Sequence, residues 1–201
     1  MDFKVMVKRL AAGLVPIIIL MQMSLTPQAA DAVSAAEAWF AKQTTMQADF
    51  TQISSDGSAA EGTLYLRRPH RMKIGYDGDD ALVLITTPVW LHVDQPAQKR
   101  VTSYPISETA LSLILKEKVI LRGDDFQTSA QVADGIATIY LHKESGEAAG
   151  DLALEFSLKP FQLRKWIVRD SVGVTTSVTL QNMKFGLKFE NELFRQSDYT
   201  N

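Results

Sequence analysis

The 201-residue sequence contains no cysteine. Disulfides, thiolate metal ligands and cysteine nucleophiles are therefore excluded, and in an oxidising compartment the hydrophobic core alone must hold the fold. The acylated cysteine that anchors a bacterial lipoprotein is excluded too, so the processed chain is expected to be soluble and to carry no lipid of its own. Histidine is scarce. His70, His92 and His142 fall in no metal-ligand spacing such as His-Glu-x-x-His, so neither a metal nor any other cofactor is expected. Also missing are a Gly-x-Ser-x-Gly elbow, a Ser-x-x-Lys pair and a phosphate-cradling glycine loop. Asp79-Asp80 and Asp124-Asp125 are paired carboxylates, but both sit beside glycine in turn-like stretches and read as solvated turns. Nothing specific points to an enzyme.

A dominant charge is lacking as well, since the formal net charge is −2. That balance gives no reason to expect a nucleic-acid partner or a strong pull to anionic lipid. One apolar run is long, from Leu10 to about Leu25, but Gly13, Pro16 and Gln22 interrupt it. Lys4, Lys8 and Arg9 precede it, and the small-x-small site Ala30-Asp31-Ala32 follows. This order reads as a secretory signal peptide over residues 1–32, not as the ~20-residue span of a membrane helix. Cleavage there takes away Lys4, Lys8, Arg9, Asp2 and Asp31, which leaves 18 of 21 basic and 21 of 23 acidic side chains, or about −3. The remaining residues 33–201 are of a size expected for one domain.

Ser34-Ala35-Ala36-Glu37 matches a capping box, so a short helix is expected from there to about Lys42. From Met46 onward the apolar period is two. Leu64 and Leu66, Met72 and Ile74, Leu91 and Val93, the series Leu152 to Leu158, and Val174 to Leu180 each alternate with polar neighbours. Turn signals such as Ser55-Asp56-Gly57, Asp77-Gly78, Asp134-Gly135 and Lys159-Pro160 separate the runs. About ten strands at hairpin spacing imply a single antiparallel sheet that curls. Residues 105–116 break the rhythm. Ser107 as N-cap, Glu108 in the first turn, Leu111, Ile114 and Leu115 on one face, and Lys116 near the end predict a helix. Two short helices cannot fill the inside of such a sheet as a second sheet would. Either strand side chains pack the middle, or a cavity remains whose Leu, Ile, Val, Met and Phe lining suits acyl chains.

In Leu64-Tyr65-Leu66-Arg67-Arg68-Pro69-His70-Arg71-Met72-Lys73-Ile74, strand parity divides the cations. Arg67, Arg71 and Lys73 share the polar face with Tyr65, whereas Arg68 shares parity with Leu64 and Leu66. An unpaired buried charge costs several kcal/mol. Arg68 thus either reaches solvent where Pro69 bends the chain, or gives its five donors to carbonyls of a covering helix.

These residues carry a resemblance. Ala48-Asp49-Phe50-Thr51-Gln52, Glu61-Gly62-Thr63-Leu64-Tyr65-Leu66-Arg67-Arg68-Pro69, the strand Ala81-Leu82-Val83-Leu84-Ile85, the Trp90-Leu91 strand and Thr109-Ala110-Leu111-Ser112-Leu113-Ile114-Leu115 follow in the order found in the LolA-type periplasmic lipoprotein carriers. The chain resembles that family over most of residues 33–201. Before Trp90 it has Thr87-Pro88-Val89 where many members have an Asp-Gly turn, and it ends at Asn201 where many continue with a Pro-containing tail. The resemblance implies a mainly β (α+β) fold, an open half-barrel with lid helices over a hydrophobic cavity. It implies a periplasmic chaperone, not an enzyme, that accepts lipoproteins from an inner-membrane ABC transporter and passes them to an outer-membrane receptor of LolB type, acting as a monomer. A related carrier or sensor of glycolipid or free lipid on the same fold is the alternative. By the same resemblance Arg68 is the lid-contacting, gating arginine. Phe50, Leu64, Leu66, Met72, Ile74, Leu82, Leu84 and Leu91 become cavity walls, and Leu111, Ile114 and Leu115 the lid helix.

Overall fold

The structure is a computed structural model that describes residues 27–79, 81–124, 126–144, 149–169 and 173–199. The apolar run and most of the expected signal peptide, together with Asp80, Asp125 and the Ser145-Gly146 and Ser171-Val172 turns, lie outside the described residues.

Helix α1 spans Pro27–Lys42. It therefore begins before Ser34, and the capping box does not form. The Ser34 hydroxyl donates to the Ala30 carbonyl one turn back (3.3 Å), as a mid-helix serine does. Glu37 accepts instead from the Leu121 N–H (2.8 Å) in a distant loop. The reason is burial. Ala29, Ala32, Val33, Ala36, Trp39 and Phe40 are all buried, so an extra turn of apolar contact outweighs a local cap. The expected cleavage point after Ala32 falls inside this helix.

Eleven strands follow: β1 Thr45–Ser54, β2 Ala59–Arg67, β3 Arg71–Tyr76, β4 Val83–Thr86, β5 Trp90–Gln95, β6 Arg100–Pro105, β7 Gln127–Ala133, β8 Ile136–Lys143, β9 Gly150–Leu158, β10 Phe161–Arg169 and β11 Thr175–Phe185. They form one antiparallel sheet in the order β6-β5-β4-β3-β2-β1-β11-β10-β9-β8-β7. Every neighbour is a hairpin partner except β1 and β11, which join the two halves. The sheet stays open, with β6 and β7 as its edges. Those edges are consecutive in sequence, so the chain must cross from one to the other, and the crossing segment is the lid.

Alternation sets the inner face. Leu64, Ile74, Leu84 and Val93 make one cross-strand row. Trp39 and Phe40 of α1 meet Phe156 of β9 edge to face, with centroids 5.7 and 6.0 Å away. On the outer face, residues 186–199 return across the strands. The Arg67 guanidinium donates to the Phe189 carbonyl (2.7 Å) and lies 4.8 Å over the Phe194 ring. The Ser197 N–H and the Tyr199 hydroxyl both donate to Asp94 (3.1 and 2.6 Å). Ile85, His92 and Asp94 are buried here, on the face that alternation assigns to solvent.

The helix expected over 105–116 is shorter and broken. A 3-10 turn covers Ile106–Glu108, Thr109 is extended (φ −116°, ψ 147°), and α2 spans only Leu111–Ile114. Ser107 caps nothing. The Thr109 hydroxyl donates back to the Ile106 carbonyl (2.8 Å), which closes the first turn locally. Ala110, not Ser107, is the N-cap of α2.

Candidate functional site

Helix α1 packs against β7, β8 and β10 and leaves the rest of the inner face to the crossing segment. One short helical turn cannot fill that area. A cavity of about 470 Å³ remains between sheet and lid. Ile74 and Leu84 wall it from one half of the sheet, and Leu141, Leu152, Trp166 and Val178 from the other. Ala110, Leu111 and Leu113 close it from above. The phenol of Tyr76 in the wall is satisfied internally, since its Oη donates to Gln52 Oε1 (2.9 Å), and burial pushes its pKa up, so it stays neutral. At one end the lining becomes charged. Lys143 closes β8, Asp151 stands near the start of β9, and Arg169 closes β10, so all three lie at one rim.

Of the eight wall residues expected from sequence, Ile74 and Leu84 line this open space. Phe50, Leu64, Leu66 and Met72 are buried in the core shared with α1. Leu82 precedes β4 and is partly exposed, and Leu91 is partly exposed on β5. In the lid, Leu111 lines the cavity while Ile114 and Leu115 are buried in the core. The walls from β8 to β11 were missed. Their alternation is visible in sequence, in Leu152 and Val178 for example, but the pairing that brings them opposite Ile74 and Leu84 is not.

Arg68 sits beyond the end of β2, only 7% exposed. Its Nη1 donates to the Lys116 carbonyl (3.1 Å), and its guanidinium lies 5.6 Å over the Phe40 ring. The buried Nε has no partner, and burial lowers the pKa of the group. Two residues on, the His70 N–H donates to the Leu115 carbonyl (2.9 Å). The turn after β2 is thus stitched twice to the C-terminal end of α2. The other histidines are paired, His92 with Ser103 (2.8 Å) and His142 with Asp151 (2.7 Å). Among the described residues, no group of three or more His, Asp or Glu side chains could hold a metal ion.

Residues 41–197 match the family described as outer membrane lipoprotein carrier protein LolA. No curated protein matches the chain. Among solved structures, an uncharacterized conserved protein from Thermus thermophilus is similar at 11% identity and a TM-score of 0.50, covering 84% of this chain and 91% of that one. A LolA superfamily protein from Nitrosomonas europaea gives 10% identity and 0.48, with 84% and 97% covered. A putative outer membrane lipoprotein-sorting protein domain from Vibrio parahaemolyticus gives 9% and 0.47, with 83% and 96% covered. At these identities the likeness is one of fold.

Proposed function

Because the chain belongs to the LolA family of outer membrane lipoprotein carrier proteins, we propose that it shields lipoprotein acyl chains in the cavity under the lid and carries them from the inner to the outer membrane. The observation that supports this most is the mainly apolar space walled by Ile74, Leu84, Leu141, Leu152, Trp166 and Val178 and roofed by Ala110, Leu111 and Leu113. The family is periplasmic, and among the described residues no helix is long and apolar enough to cross a membrane. Secretion by a signal peptide cleaved near Ala32 belongs to the proposal.

Magnitudes shape the mechanism. Each buried methylene contributes about 0.8 kcal/mol, so a triacylated anchor is held in its membrane by tens of kcal/mol. A soluble carrier therefore needs an energy-using loader, which is the role of the inner-membrane ABC transporter. It must also let go to an outer-membrane receptor of LolB type, so its affinity must be limited. A lid that closes over the empty cavity does this, since cargo has to displace lid contacts. Arg68 holds the closed lid through the Lys116 carbonyl.

The test is to incubate the purified protein with lipoprotein-loaded spheroplasts and to identify by mass what co-elutes with it. Acylated proteins are expected. Free lipid or glycolipid alone, with no acylated protein, overturns the lipoprotein reading in favour of a lipid carrier on this fold.

A further inference from the structure

The outer face of the sheet carries a second concavity, of about 580 Å³, over β7 to β11. A cross-strand row explains it. Ser129 pairs with Tyr140, Tyr140 with Ala153, and Ala153 with Ile167. Ala153, buried and small, leaves a dip between the larger side chains of Tyr140 and Ile167. The next row outward is Gln127, His142, Asp151, Arg169 and Thr175. Tyr140 is 44% exposed beside this dip.

This groove borders the cavity. Leu141, Asp151, Leu152 and Arg169 line both, so the rim of one is the end of the other. Asp151 is engaged by His142, whereas Arg169 has no acidic partner among the described residues. This shared border offers a route for a molecule with its apolar part under the lid and its polar part outside.

We propose that the groove receives the polypeptide of a lipoprotein cargo, with the acyl chains under the lid and the residues after the lipidated one laid over Asp151 and Arg169 and across Tyr140. The proposal rests on the lipoprotein-carrier reading. Five neighbouring strands at about 4.8 Å spacing make the groove roughly 19 Å long, the reach of about six extended residues. That chain would run across the strands, so side chains and not a strand ladder would hold it. The groups offered suit many sequences. Gln127, Ser129 and Thr175 are neutral donors and acceptors, and an exposed tyrosine supplies flat contact area at low conformational cost. A carrier of diverse cargo needs contacts of this sequence-tolerant kind.

Two lipopeptides test the proposal, each competing with a fluorescent fatty-acyl probe for the protein without residues 1–26. One is tripalmitoyl-cysteine followed by two serines, and the other extends it by eight polar residues. The longer one is expected to bind about tenfold more tightly. Tyr140→Ala should reduce that gain to within about twofold and leave the short lipopeptide unchanged, while Tyr140→Phe keeps the gain. Equal affinities on the unaltered protein, or a gain that Tyr140→Ala leaves intact, overturn the groove. A glycolipid with the same chains that shows a Tyr140-dependent gain where the long lipopeptide shows none overturns the polypeptide as occupant and puts a glycan in its place. If none of these molecules displaces the probe, the carrier reading fails and the groove proposal falls with it.

Discussion

Arg68 is the residue on which the functional reading turns. A hydrogen bond from a charged donor contributes about 1.5–3 kcal/mol, so losing the bond to Lys116 should loosen the closed lid by at least about tenfold in its equilibrium. Arg68→Leu is expected to fold, because it also removes a buried Nε that has no partner. Its affinity for an acyl probe should rise about tenfold and its transfer of cargo to the receptor should slow. Unchanged affinity and transfer count against the gating role. The parity of Leu64, Leu66 and Arg68 made this residue stand out in the sequence, but parity left open whether it reached solvent or a lid. Asp94 gave no such signal, because its partners Ser197 and Tyr199 come from 103 and 105 residues away. Burial raises its pKa, but hydrogen bonds from Ser197 and Tyr199 and the charge of Lys73 outweigh that and hold it below the ordinary 3.8. A depressed carboxylate stabilises the fold above its unfolded value and loses that contribution as pH falls through the folded one. The C-terminal segment should therefore stay attached at neutral pH and detach only below about pH 3.8, as followed by the Tyr199 ring resonances. Asp94→Asn should detach it in part at neutral pH and flatten the profile.

At the scale of elements, the strands were the legible part. Period two located β2, β3, β5, β9 and β11, with differences at their ends, whereas β6, β7, β8 and β10 were marked only by turn residues beside them. Both helices were misjudged, for opposite reasons. Helix α1 is longer than its apparent cap because its buried stripe continues through Ala32 and Ala29. The lid helix is shorter than its pattern because Thr109 bonds its own preceding turn. Eight wall residues are expected from the region of β1 to β5, but ten of the fourteen strand residues that line the cavity belong to β8 to β11, which only the β1–β11 pairing brings round. The returning segment 186–199 was invisible, having no regular period beyond the 3-10 turn Asn191–Phe194. Its anchor is Phe194, 2% exposed. Phe194→Ala should cost about 3–5 kcal/mol by urea unfolding if the segment unfolds with the sheet. A cost below about 1 kcal/mol, with early proteolysis of the tail, would show instead that the strap detaches independently.

For the whole molecule, openness is the decisive property. The edges β6 and β7 do not pair, and the chain between them roofs the gap. The space beneath is therefore bounded on one side by the crossing segment and not by strands alone. The resting space is small beside a triacylated anchor. A methylene is about the size of a water molecule, whose share of liquid volume is about 30 Å³, so 470 Å³ holds about sixteen of them, or one long acyl chain. Cargo with two or three chains must therefore open the lid further, which makes lid energetics part of its affinity.

The central claim is that acyl chains occupy the space between sheet and lid, and a substitution that fills it tests this most directly. Leu84 lines the cavity and is only partly buried, so a larger ring can be placed there without dismantling the core. The measurement is the affinity of a fluorescent fatty-acyl probe for Leu84→Trp relative to the unaltered chain, with thermal unfolding followed alongside. A loss of at least about tenfold with the fold intact is expected, since the indole takes up a sizeable share of the space for one chain. An unchanged affinity in a folded Leu84→Trp protein would contradict it, because the acyl chain would then bind somewhere else.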